Sequence, residues 1–194
     1  MARQVNDDGG LVRAARRGEL AAFDELVRRY QRQTTAVAYR LLNNRDDAME
    51  VVQDAFLQAF DKLGSLSHPG RFGPWLMRIV SNLALNRRRA RALRTTASLD
   101  AASDGGDTER AGISLPDTRA VSPLAAASAG ELRQLIARAI DELPEMQRQA
   151  LVMFSIAQLP QSEVARLMGC SIEAVKWHVF TARKKLKDKF SDYL

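Results

Sequence analysis

LPQSEVARLMGCSIEAVKWHVFTARKKLKDKF, residues Leu159 to Phe190, is the stretch that decides how this chain is read. It divides into two short amphipathic helices about a tight turn. Pro160 suits an initial helical position, Ser162 is placed to cap the free amides, and Val164, Leu167 and Met168 share one face. Gly169 stops that helix, because the residue after a helix commonly takes a left-handed backbone that glycine adopts without steric cost. Ser171 then caps a second helix with Glu173 in its first turn. There Ile172, Val175, Val179, Ala182 and Leu186 recur at steps of 3, 4, 3 and 4, so they bury together. Glu173, Lys176, Trp177, Phe180, Arg183 and Lys184 are left facing outward. The pattern is a helix-turn-helix, and its basic, aromatic outer face suits a nucleic-acid groove. The plainer reading is two amphipathic helices about a glycine, with a Lys-rich end that complements the helix dipole.

The rest of the chain weighs these readings. Its 194 residues are 46% hydrophobic and 27% charged, ordinary for soluble protein and enough for one domain or two small ones. A formal charge of +6 favours anionic partners. That charge is unevenly spread. Residues 1–94 hold 17 basic and 10 acidic side chains (+7), residues 95–130 hold 2 and 5 (−3), and residues 131–194 hold 10 and 8 (+2). Cys170 is the single cysteine, so an intrachain disulfide is impossible and nothing points to an oxidising compartment. The start, MARQVNDDGG, lacks the apolar core of a leader, and no run approaches the roughly 18 apolar residues of a membrane span. A cytoplasmic protein without membrane insertion is expected.

In order along the chain, Leu11 to Arg17 predicts a short helix stopped at Gly18, and Leu20 to Asn43 a longer one. The longer helix buries Phe23, Leu26, Val27, Tyr30, Val37, Ala38, Leu41 and Leu42. Asn43 and Asn44 end it, and Asp46 or Asp47 is expected to cap the next, DDAMEVVQDAFLQAFDKL. That third helix has two faces. Val51, Val52, Ala55, Phe56, Ala59, Phe60 and Leu63 point inward, while Asp47, Glu50, Gln53, Asp54, Gln58 and Asp61 form a polar, mostly acidic surface. Exposed carboxylates repel phosphate, so this face suits a basic protein partner, or is simply the solvated side of an amphipathic helix.

GSLSHPGRFGP, residues 64–74, is rich in Gly, Ser and Pro and predicts a loop. WLMRIVSNLALNRRRARALR follows, with Trp75, Leu76, Ile79, Val80, Leu83 and Leu85 toward the core. Its end carries Arg87, Arg88, Arg89, Arg91 and Arg94, a guanidinium cluster that makes a phosphate-binding surface. Residues 95–130 turn to Ala, Ser, Asp, Gly and Pro and predict a flexible acidic tether. Helix resumes through LRQLIARAIDELPEMQRQALVMFSIAQL, broken at Pro144. No strand-like alternation persists, so the expected fold is all-α. Two small helical domains, 1–94 and 131–194, each carry a basic face, and a tether between them raises the effective concentration of one site for the other.

With these residues on the page, the chain resembles the extracytoplasmic-function group of bacterial RNA polymerase sigma factors. The resemblance rests on AARRGELAAFDELVRRYQ, on RLLNNRDDAMEVVQDAFLQAF, which is similar to the family's core-binding helix, and on RFGPWLMRIVSNLALNRRR. In the second domain it rests on IDELPEMQRQALVMF and SEVARLMGCSIEAVKWHVFTARKKL. Several long matches in the right order are far more specific than a lone helix-turn-helix. The resemblance implies a sigma-2 type bundle and a sigma-4 type helix-turn-helix domain joined by a linker that threads toward the polymerase active site.

The resemblance further implies partners and contacts. The third helix would dock on the clamp helices of the largest polymerase subunit through Asp47, Glu50, Gln53, Asp54 and Leu57, with the flap of the second-largest subunit as a further contact. Phe72, Arg78 and Asn82 match positions that hold the minus-10 element, where a base is flipped from the nontemplate strand, with Arg87, Arg88 and Arg89 on phosphates. Ser171, Lys176, Trp177, Phe180, Thr181, Arg183 and Lys184 match the surface that meets the minus-35 element in the major groove. Here the chain departs from the family. Trp177 and His178 stand where many members have a small Ser followed by Arg, and Thr181 replaces another frequent Arg. Arg bidentate to guanine is the commonest specific base contact, so a guanine-led preference is in doubt. Trp177, Phe180 and Thr181 are candidates for thymine-methyl or sugar contact. An anti-sigma factor is the remaining expected partner.

Enzyme chemistry finds no support. His68 and His178 are far apart, without Cys or His at metal-ligand spacing, and there is no Gly-rich phosphate loop or nucleophile elbow, so neither cofactor nor metal is expected. A stand-alone helix-turn-helix regulator is the main rival, and leaves the acidic helix and the Arg-rich first domain unexplained. An RNA-binding helical adaptor is disfavoured by the scarcity of exposed aromatics.

Overall fold

The computed structural model describes residues 8–99 and 134–191; the segment 100–133, most of the expected tether, lies outside them. Among the described residues every regular element is helical. The first domain packs α1 (Asp8–Arg16), α2 (Leu20–Leu42), α3 (Arg45–Asp61) and α4 (Phe72–Leu99). The second holds α5 (134–141), α6 (Glu145–Leu151), a π-helical turn (Val152–Ile156), α7 (Gln161–Met168) and α8 (Ile172–Lys189).

Local chemistry sets the boundaries. Gly18 has φ +95° and Asn43 φ +52°, left-handed positions that end α1 and α2. The cap of α3 is Asn44 rather than Asp46 or Asp47, and its side chain accepts from the Asp47 amide at 2.9 Å. Asp46 and Asp47 sit inside the first turn, where carboxylates meet the positive end of the helix. The expected loop 64–74 is shorter than its Gly and Pro content suggests. Leu63–Ser65 and Pro69–Arg71 are 3-10 turns, and α4 begins at Phe72, with Pro74 in the first turn where its missing N–H costs nothing. Arg16 ties this crossing down by donating to the Leu63 carbonyl at 2.8 and 3.0 Å and to the Leu66 carbonyl. α4 runs on to Leu99, past the expected boundary at residue 94.

The core of the first domain joins Leu26, Val37, Leu41, Val51, Leu76 and Val80 around Phe72. Phe72 is fully buried among Phe23, Tyr30 and Trp75, at centroid separations of 6.5, 5.5 and 5.9 Å. In the second domain Val164, Leu167, Val175, Val179 and Ala182 pack beneath α6 and its π turn. The π turn was not legible in the sequence. It ends with Gln158 in a left-handed conformation at φ +59°, after which Leu159 is buried and Pro160 opens α7. Ser162 lies within α7 and does not cap it; Pro160 is the N-cap residue.

Candidate nucleic-acid interface

The turn of the helix-turn-helix forms as its chemistry requires. Gly169 has φ +67°, and the Ser171 hydroxyl accepts from the Ala174 amide at 3.1 Å to cap α8. Val175, Val179 and Ala182 face the core, Leu186 is half-buried, and Ile172 at the tip is partly exposed, contrary to the expected stripe. On the opposite face Lys176, Trp177, Phe180, Arg183 and Lys184 are exposed and Thr181 is half-exposed. Trp177 is 56% and Phe180 68% exposed, unusual for residues of this size on an uncovered helix. Trp177 meets His178 edge-on at 5.0 Å. Arg183 is less free than expected: its guanidinium lies 5.6 Å from the Phe154 ring centroid and donates to the Ser155 hydroxyl at 3.2 Å.

The α4 residues divide into three groups. Phe72 is fully buried, its ring part of the aromatic core under α2, so stacking on a base would require that core to open. Arg78 and Asn82 are exposed one turn apart. Arg87 turns toward α3, with Nη2 2.8 Å from Asp47 and 2.6 Å from Glu50, and these hydrogen bonds push its pKa upward. Arg91 also reaches Asp47, at 3.5 Å. The acidic and basic faces expected to serve separate partners therefore partly neutralise each other. Asp47 is half-buried and holds Arg87 against α3.

Beyond Asp47, α3 keeps an open surface. Glu50, Gln53 and Asp54 are exposed, and Leu57 is 58% exposed. Met49 and Phe60, 56% and 43% exposed, were missed, the first because it is isolated in a polar run and the second because periodicity assigned it inward. Met49, Gln53, Leu57 and Phe60 recur at steps of 4, 4 and 3, so they line one edge of the helix. Phe60 meets Phe23 in an edge-to-face pair at 5.0 Å and remains exposed. The result is an apolar seam flanked by carboxylates.

Residues 26–94 match the profile of Sigma-70 region 2 and residues 133–186 that of Sigma-70, region 4. The chain belongs to the sigma-70 family of RNA polymerase sigma factors, in its extracytoplasmic-function (ECF) group. It is 32% identical over 193 residues to the ECF RNA polymerase sigma-E factor of Escherichia coli (strain K12), covering 97% of this chain and 96% of that protein. It is 31% identical over 179 residues to the RNA polymerase sigma-H factor of Pseudomonas aeruginosa, covering 92% and 91%. Its fold is similar to that of CnrH in complex with the cytosolic domain of CnrY, at TM-score 0.56 and 24% identity over 95% of this chain and 97% of that one. It is also similar to the sigma factor RpoE in complex with the anti-sigma factor NepR from Bartonella quintana, at TM-score 0.57 and 22% identity over 86% and 94%. An ECF sigma factor is the promoter-specificity subunit of RNA polymerase, and a stand-alone regulator accounts for these matches no better. Among the described residues no helix is long and apolar enough to cross a membrane, and no group of three or more His, Cys, Asp or Glu could hold a metal ion.

Proposed function

We propose that this sigma factor docks on core polymerase through the outer edge of α3 and reads its promoter with α4 and α8. The observation that carries the docking surface is the exposed seam of Met49, Gln53, Leu57 and Phe60 beside Glu50 and Asp54. A basic coiled coil, the clamp helices of the largest subunit, would cover the apolar seam and pair with the flanking carboxylates. The second domain would meet the flap of the second-largest subunit, and residues 95–130 would run between these contacts. Arg78 and Asn82 would hold the minus-10 nontemplate strand, with Arg87, Arg88 and Arg89 on phosphates. Lys176, Trp177, Phe180, Thr181, Arg183 and Lys184 would meet minus-35 DNA. Trp177 and Phe180 present apolar surface to thymine methyls where an arginine would select guanine. The Ser171 hydroxyl already caps α8, so its part is to orient the recognition helix. The initiation chemistry belongs to the polymerase, and this subunit acts in the cytoplasm, where an anti-sigma factor would hold it in reserve.

The test is binding to purified core polymerase. Asp54→Arg and Leu57→Arg are both at exposed positions, so helicity by circular dichroism should stay at the wild-type value while co-elution with core polymerase is lost. Wild-type co-elution of both variants would remove α3 as the docking surface.

A further inference from the structure

We propose that Arg87 competes with the polymerase for the carboxylates of α3: core polymerase, in docking there, takes Glu50 from Arg87, and the freed guanidinium passes to a promoter phosphate. The proposal rests on the reading of α3 as the docking surface and of Arg87 as a phosphate contact.

Arg87 Nη2 lies 2.8 Å from Asp47 Oδ1 and 2.6 Å from Glu50 Oε2, and its Nε donates to Asp47 Oδ1 at 3.0 Å. Arg91, one turn further along α4, reaches Asp47 Oδ2 at 3.5 Å. Within this cluster two guanidiniums meet two carboxylates, and the charge balances. Its neighbours Arg88 and Arg89 turn elsewhere, to Glu145 and, at 2.6 Å, to the Leu167 carbonyl, and stand apart from the cluster on α3.

The two carboxylates differ in access. The Asp47 side chain is 20% exposed and sits in the first turn of α3, whereas the Glu50 side chain is 59% exposed. Glu50, Asp54 and Leu57 follow at steps of 4 and 3, so Glu50 also belongs to the edge that would meet the clamp helices. A basic helix covering that edge contests Glu50, and an exposed ion pair is weak enough to yield to it. Arg87 and Arg91 are then left with Asp47 alone, and one positive charge lacks its counter-ion. A phosphate of promoter DNA laid along α4 supplies it. By linkage, DNA held on Arg87 strengthens polymerase binding by the factor with which polymerase strengthens DNA binding.

The test uses the full-length chain and purified core polymerase. Arg87→Gln is made in the wild-type chain and again in a chain carrying Asp47→Asn with Glu50→Gln, and circular dichroism and a thermal melt verify folding. Core affinity is read by titrating an N-terminally labelled chain at one salt concentration. The expected result is that Arg87→Gln tightens core binding about threefold when the carboxylates are present and changes nothing when they are replaced, as for a competitor that acts through them. In the holoenzyme the same substitution should weaken promoter binding and reduce the slope of log affinity against log salt by about 1, the mark of one lost phosphate contact. Arg87→Lys keeps the charge but not the forked donors, so it should tighten core binding by a smaller factor and retain the salt slope; it carries the test if the glutamine variant melts early. Unchanged or weaker core binding overturns the competition, provided that Asp47→Asn with Glu50→Gln weakens core binding by itself. If that pair leaves core binding at wild-type strength, the docking role of these carboxylates is what fails, and the competition falls with it. An equal gain in both backgrounds is a general charge effect and overturns the competition too. Tighter core binding with an unchanged salt slope overturns the transfer of Arg87 to DNA.

Discussion

Gly73, in the first turn of α4, lies directly against the Tyr30 ring of α2. A Cβ added there would lie 2.7 Å from the Tyr30 hydroxyl and 2.8 Å from the ring, so the aromatic cluster must shift. Gly73→Ala should cost about 1–3 kcal/mol by urea denaturation, the range for overpacking a well-filled core. Tyr30 is held by burial and by its hydrogen bond to Asp8 at 2.5 Å, with Arg29 3.3 Å from the same carboxylate. Burial first, and Asp8 second, push its pKa well above the ordinary value of about 10. The folded chain keeps a proton that the unfolded chain releases, so this contribution to stability is whole below about pH 10 and is lost as pH rises further. Tyr30→Phe should lower stability at pH 7 by about 1 kcal/mol and flatten the alkaline decline above pH 10. Neither role was legible in the sequence, because Gly73 lay in an expected loop and Asp8 ahead of the first expected helix, which was read as starting at Leu11.

At the scale of elements, helix positions followed directly from periodicity, and the turn chemistry of Gly18, Asn43, Gly169 and Ser171 set four boundaries where expected. Period alone could not tell a buried aromatic from an exposed one, and only the fold surrounds Phe72 with Phe23, Tyr30 and Trp75. Nor could it foresee that Asp47 and Arg87, 40 residues apart, would pair across two helices. The outer face of α8 was legible because every third or fourth residue there is basic or aromatic. Trp177→Ala and Phe180→Ala leave that helix packed as before, so the thermal midpoint should move little, while minus-35 duplex affinity falls by about 1–3 kcal/mol in a fluorescence anisotropy titration. Wild-type affinity in both variants would exclude the aromatic pair from the DNA contact.

Across the whole molecule, the two-domain arrangement could be read from the break in composition at residues 95–130, whereas the way the domains meet could not. Contacts such as Arg89 to the Leu167 carbonyl and Gln33 to the Ile156 carbonyl join side chains to backbone groups across 78 and 123 residues, and a backbone acceptor leaves no mark on composition or spacing. Run-off transcription from a cognate promoter with purified core polymerase tests this account most directly. It predicts a discrete promoter-specific transcript with the wild-type chain and none with Asp54→Arg. It would be contradicted if the wild-type chain bound promoter DNA tightly on its own yet gave no promoter-specific transcript with core polymerase.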